Sequence, residues 1–267
     1  AEKARESSAA AEDVPTVAEA KQKPAAELPS QEIAAAKAEA ETIEAEAAAE
    51  LAAAEVGPAI VAYPAFAGLD IAEATKRALA EHGFDDMTEF QCKAIPHLLA
   101  GKDLMGTECT GSGKALAYLV PVVELLHRSH FPPSNGTGVI ILLPTRERAQ
   151  QTYSLVRDIL QYQPFSHGVF VGGTSREAQA DQLARGVNVV VGTAALLLSH
   201  MRSTRSFVYS NLKCLVIDEV DLILRMGFDE ELRIIITLLP NDRQTVLFSA
   251  TQTGKVEGIV EDIAQLR

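Results

Sequence analysis

From residue 58 onward, short apolar runs rich in β-branched residues alternate with longer stretches of helical periodicity. The strand candidates are residues 103–106, 139–143, 168–171, 187–191, 214–217 and 245–248. Helical patterns fall at 114–127, 146–162, 230–239 and 254–266. Runs such as Val-Ile-Ile-Leu-Leu and Cys-Leu-Val-Ile are apolar without alternation, as a strand is when both of its faces are buried. Strands linked through helices lie parallel, because each crossover returns the chain to the same end of the sheet. The pattern predicts an α/β fold: a doubly wound, mostly parallel sheet with helices on both faces. Such sheets bind ligands beyond the carboxyl ends of their strands. The chemistry is therefore expected in the residues that directly follow the apolar runs.

After the first run comes Glu108-Cys109-Thr110-Gly111-Ser112-Gly113-Lys114-Ala115. Glycines at this spacing let backbone N–H groups converge on phosphate oxygens. Lys114 would neutralise the outer phosphates, and the following helix adds its positive N-terminal end. After the run at 214–217 come Asp218 and Glu219. Acids at such a strand end hold Mg²⁺ and position water in nucleotide hydrolases. The pair alone is weak evidence, since strand ends are often acidic; together with the phosphate loop it is strong. Ser249-Ala250-Thr251 follows the last run and is a plausible hydroxyl relay from the acids to a second lobe. The six histidines show no metal or triad spacing, and His127 and His130 read as surface residues.

In order along the chain stand Gly83 to Gln91, Thr-Gly-Ser-Gly-Lys, Pro144-Thr145-Arg146-Glu147, Gly172-Gly173, Asp218-Glu219-Val220-Asp221 and Ser-Ala-Thr. This series resembles the DEAD-box ATP-dependent RNA helicases. The match runs from about Phe66 to Arg267 and corresponds to the first RecA-like domain of that family. Stretches 135–139, 211–218 and 243–253 look most like its nucleolar, ribosome-biogenesis branch. The resemblance implies that Gln91 reads adenine, with Phe66 or Phe84 against the base. It implies that Thr110, Gly111, Ser112, Gly113 and Lys114 hold the phosphates. Asp218 would face Mg²⁺, Glu219 the attacking water, and Ser249 and Thr251 the relay. Arg146, Gly172, Gly173 and Thr193 would touch the RNA backbone.

Departures from the family pattern fall on chemical positions. The family has Thr or Ser after the loop lysine, where its hydroxyl ligates Mg²⁺; here Ala115 offers no oxygen. A small residue usually begins the loop; here it is Glu108. A carboxylate about 4 Å from a phosphate repels it by roughly 1–4 kcal/mol per charge pair. Where the family has Thr-Pro-Gly-Arg-Leu, this chain has Thr193-Ala194-Ala195-Leu196-Leu197 and so lacks the Arg cation. Arg148 replaces a leucine and reads either as an added charge or, preferably, as a solvated helix residue. Val220 is a mild change.

Ahead of the α/β region, residues 1–30 are Ala, Glu, Lys and Pro with little to bury, and read as disordered or extended. Residues 31–57 are nearly pure Ala and Glu, and predict a thin helical arm, either a solvated spacer or a docking arm for a partner. Residues 58–267 form the α/β domain, with no second RecA-like domain among them. The acid-rich start differs from Arg-rich transit peptides. No apolar run approaches the roughly 20 residues of a membrane span, so no membrane insertion is expected. Three scattered cysteines with no CxxC pair point to a reducing, intracellular compartment.

The net charge is −12, and the first 55 residues hold 13 acidic and 5 basic side chains. This is not the strongly basic balance of a protein that lives on nucleic acid. Composition and lesions together favour a degenerate, catalytically inactive helicase-like lobe, serving as a structural or interaction subunit of a ribonucleoprotein or organellar assembly. Its partners would then be protein subunits, and RNA second. The alternatives are the N-terminal half of an ATP-dependent RNA helicase, and a nucleotide- or RNA-binding module without turnover. No tightly bound cofactor is expected; ATP and Mg²⁺ are the ligands if the site works. The compartment is nucleolar on the resemblance, or mitochondrial if the chain joined an organellar complex. The lost Arg and the apolar replacements also predict an apolar patch at 194–196.

Overall fold

The computed structural model describes residues 64–107 and 113–265. The extended segment 1–30, the arm 31–57, and Glu108, Thr110, Gly111 and Ser112 lie outside the described residues. The described residues belong to one compact unit, Ala62–Arg267.

Among the described residues, six strands form one sheet: β1 (Leu104–Thr107), β2 (Val139–Leu143), β3 (His167–Phe170), β4 (Val189–Thr193), β5 (Cys214–Ile217) and β6 (Gln244–Ser249). Their order across the sheet is β1-β6-β5-β2-β4-β3, and every pairing is parallel. Nine α-helices accompany them among the described residues. They are α1 (Glu73–Glu81), α2 (Glu89–Leu99), α3 (Lys114–Arg128), α4 (Arg146–Leu160), α5 (Arg176–Ala184), α6 (Ala194–Ser203), α7 (Val220–Arg225), α8 (Asp229–Leu238) and α9 (Gly254–Gln265).

Strand alternation divides the core in two. Val139, Ile141, Leu143, Val216 and Phe248 turn to one face, where α1 to α4 bring Leu79, Ile95, Leu119 and Val156. Ile140, Leu142, Leu215, Ile217 and Leu247 turn to the other, against Leu183, Leu197, Ile223, Ile235 and Ile259 of α5 to α9. Each such side chain contributes roughly 1.5–3 kcal/mol of transfer free energy on full burial. Two covered faces explain why the central runs are continuously apolar.

The strand at 187–191 in the sequence reading is β4 at Val189–Thr193 in the structure. Asn188 explains the shift. Its side chain donates to Pro133 O (2.9 Å) and Gly136 O (2.8 Å) and accepts from Ser166 N (3.0 Å). A residue tied to two other loops at the strand's foot leaves the ladder to start at Val189, two residues later.

Candidate functional site

The carboxyl ends of β1, β6 and β5 are neighbours, and each delivers one set of polar groups. Lys114 opens α3 after Gly113, whose φ of 80° lets the chain turn from loop to helix. A side chain there would be strained by the backbone and would sit 2.5 Å from the Gln91 amide. Lys114 is 6 % exposed, and its Nζ lies 4.0 Å from Asp218 Oδ1. Asp218 Oδ1 also accepts the Glu219 N–H at 2.9 Å, and Oδ2 accepts the Tyr118 hydroxyl at 3.2 Å. Burial raises the Asp218 carboxyl above the ordinary carboxylate range, against the pull of Lys114 and the two donors.

Glu219 adopts the left-handed conformation, φ 53° and ψ 46°, unusual for a non-glycine residue. That turn aims its side chain into the cleft, where Oε1 meets Arg148 Nε at 3.5 Å. Glu219 Oε2 is buried and has no hydrogen-bond partner. Burial raises this carboxyl too; Arg148 opposes the shift and Asp218 adds to it. A cavity of about 320 Å³ lies between these groups, lined by Lys114, Ala115, Arg148, Thr152, Asp218 and Glu219 among others. Ala115 stands beside it with no oxygen to contribute. Arg148 is exposed, as a solvated helix residue is, and it also reaches Glu219, so it adds a charge at the rim of the cleft. The Thr145 hydroxyl caps α4 by accepting the Arg148 N–H at 3.3 Å, which fixes Arg148 in the first turn, within reach of the acid.

At the far side of the loop, Thr88 and Gln91 form a reciprocal cap on α2. Gln91 Oε1 accepts the Thr88 N–H at 2.7 Å, and Nε2 donates to Gly113 O at 3.0 Å. Gln91 thus ties α2 to the end of the phosphate loop. It retains one proton and one lone pair for a base, but it is 2 % exposed. Phe66 is also 2 % exposed, packed in the core. Phe84 is half-buried and has open surface. Of the two aromatic candidates, Phe84 is the one with a face to offer.

Ser249 Oγ donates to Thr251 O at 2.5 Å, and Thr251 Oγ1 donates to Asp221 Oδ2 at 3.1 Å. Asp221 Oδ1 also takes the Ala250 N–H at 3.3 Å, and Arg225 reaches Oδ2 at 3.2 Å. The Ser-Ala-Thr turn is therefore linked to Asp221. Tyr118 and Asp221 had no place among the site residues read from sequence. The order Asp218-Glu219-Val220-Asp221 was the signal for Asp221; nothing local marks Tyr118, whose partner is distant in the chain.

The residues assigned to RNA sit at the other half of the same sheet edge. Arg146 follows β2, Gly172 and Gly173 follow β3, and Thr193 ends β4 opposite Leu143. Gly173 has φ 87°, and a Cβ there would run into the Arg146 guanidinium, so Arg146 and Gly173 are in contact distance. The apolar patch expected at 194–196 is corrected. Ala194 is 3 % exposed and Leu196 is half-buried against the core, which leaves Ala195 as the exposed member. The cause is α6, which begins at Ala194 and turns these side chains toward the sheet.

Residues 88–259 match the family described as DEAD/DEAH box helicase. Among curated proteins, the chain is 47 % identical over 201 residues to "DEAD-box ATP-dependent RNA helicase 27" of Oryza sativa, covering 75 % of this chain and 34 % of that protein. It is 50 % identical over 194 residues to "ATP-dependent RNA helicase HAS1" of Phaeosphaeria nodorum, covering 73 % and 32 %. It is 50 % identical over 196 residues to "Probable ATP-dependent RNA helicase ddx18" of Dictyostelium discoideum, covering 73 % and 33 %. The chain thus spans about one third of the length of these relatives. Among solved structures it resembles the crystal structure of a DEAD box protein from the hyperthermophile Methanococcus jannaschii. The TM-score is 0.69 at 29 % identity, covering 74 % of this chain and 53 % of that one.

Proposed function

The chain belongs to the DEAD/DEAH box helicase family, and from that premise we propose that it acts as the nucleotide- and RNA-binding first lobe of an ATP-dependent RNA helicase. The supporting observation is the buried Lys114, 4.0 Å from Asp218, between neighbouring strand ends. The names of these relatives agree with this reading better than with a purely structural role. Nucleotide phosphates would lie at the β1-β6-β5 half of the sheet edge and the RNA backbone at the β2-β4-β3 half. The resemblance of stretches 135–139 and 211–218 extends the proposal to ribosome assembly in the nucleolus.

A second reading keeps the lobe as a non-hydrolysing subunit of a larger assembly. Ala115, which offers no oxygen, and Arg148, paired to Glu219 at 3.5 Å, favour it.

The test is titration of the full chain with ADP and with single-stranded RNA. Lys114→Ala is expected to weaken ADP at least about tenfold, equivalent to roughly 1.4 kcal/mol, and to leave RNA binding intact. Arg146→Ala is expected to do the reverse and to flatten the salt dependence of RNA binding. Failure of the wild-type chain to bind either ligand sinks the first reading. RNA-stimulated turnover near the ordinary enzymatic scale of about 1 per second sinks the second.

A further inference from the structure

The family's nucleotide cleft is associated with Mg²⁺, and the residues present here fit that ion poorly. Ala115 supplies no hydroxyl. Both oxygens of Asp218 are engaged, by the Glu219 N–H at 2.9 Å and the Tyr118 hydroxyl at 3.2 Å. Glu219 Oε1 faces Arg148 at 3.5 Å. Of the four acid oxygens, Glu219 Oε2 alone has no partner. Magnesium demands near-ideal octahedral geometry and is usually held through one or two carboxylates together with phosphate oxygens.

What the cleft has instead is a second built-in cation. With an apolar residue at position 148, the two acids and Lys114 would leave a formal charge of −1 facing an incoming phosphate. Arg148 brings the sum over these four described groups to zero without a metal. We propose that this cleft holds the phosphates of a nucleotide without a divalent cation, with Arg148 and Lys114 supplying the positive charge. The inference rests on the reading of the cleft as a nucleotide site.

Geometry favours it on two further counts. Arg148 and Ala115 line the same 320 Å³ cavity, so the guanidinium borders the space that the missing hydroxyl leaves. The Arg148 side chain is 45 % exposed, and an ion pair so open to solvent is worth little, so exchanging Glu219 for a phosphate costs little. A guanidinium offers paired N–H donors that match phosphate oxygens, and it cannot be deprotonated in a protein.

The experiment is calorimetric titration of the full chain with ADP, once in excess Mg²⁺ and once in EDTA. The wild-type affinities are expected to agree within about threefold. Arg148→Leu is expected to lose at least about tenfold in EDTA, while Arg148→Lys keeps most of the affinity. Ala115→Thr combined with Arg148→Leu is expected to bind at least about tenfold tighter with Mg²⁺ than without. Matching melting curves establish that these variants fold, as the half-exposed position of Arg148 suggests. Wild-type binding that collapses in EDTA overturns the inference and leaves the nucleotide reading standing. An Arg148→Leu chain that binds as well as wild type in EDTA overturns it equally. No ADP binding in either buffer sinks the nucleotide reading and the inference with it.

Discussion

Glu219 combines a left-handed backbone with a buried carboxylate, and both cost stability. A non-glycine residue in that region costs on the order of 1–3 kcal/mol and persists where the surrounding structure over-determines it. Burial raises both Glu219 and Asp218, so the folded chain keeps protons that the unfolded chain has already released. Stability therefore falls as pH rises from the ordinary carboxylate range, near about 4, through the raised folded values. Glu219→Gln removes one such group. We expect it to raise the melting temperature at neutral pH, with the gain shrinking as the solution is acidified to pH 4. A constant gain, or a loss that grows with pH, would contradict the burial argument. Lys114, Asp218 and Glu219 were legible because phosphate chemistry leaves short local patterns. The engagement of Arg148 was not, because its partner sits on a distant strand end and its own neighbourhood reads as an ordinary helix surface.

At the scale of elements, two features hold the site in place. The α2 cap does so at one end. Thr88→Ala removes the hydroxyl that accepts the Gln91 N–H at 3.3 Å, a change that costs about 1 kcal/mol at helix N-termini. Gln91 also ties α2 to Gly113, so the same variant is expected to weaken ADP binding along with stability, in urea melts and titration alike. An unfolding midpoint that falls with ADP affinity unchanged would separate the cap from the cleft. At the other end, β4 passes Phe170 so closely that a Cβ on Gly192 would lie 2.6 Å from its backbone oxygen. Backbone cannot yield as a flexible side chain does. Gly192→Ala is expected to cost about 1–3 kcal/mol, the range for overpacking, and a wild-type urea midpoint would refute the close approach. The central strands β2 and β5 were legible from continuous apolar runs, whereas β1 and β3 carry exposed or half-buried positions and β4 was read two residues early. Helices such as α1, α5 and α7 were harder to see: they are short, and α7 follows the motif acids without a side-chain cap.

For the molecule as a whole, strand order places the proposed sites. β1, β6 and β5 adjoin on one side and β2, β4 and β3 on the other, so the residues proposed for nucleotide and those proposed for RNA share one edge, with Arg148 after β2 bordering the cleft between them. Both faces of the sheet are covered by elements after Phe66. A chain beginning at Ala62 is accordingly expected to unfold cooperatively at the midpoint of the full chain; a large fall would show that earlier residues contribute to this core. The fold was legible because alternation and burial repeat along the whole region. The pairing of Arg146 with Gly173, and of Thr251 with Asp221, was legible only in part. Motif order marked the residues, and only the sheet brought them together.

Amide hydrogen exchange with and without ADP tests the central claim most directly, because it locates the ligand rather than only detecting it. The account predicts slowed exchange in segments 113–118, 146–152 and 217–221, with segments 171–175 and 193–197 unchanged until single-stranded RNA is added. Protection by ADP at 171–175 and 193–197, with the Lys114 and Asp218 segments exchanging as before, would contradict it.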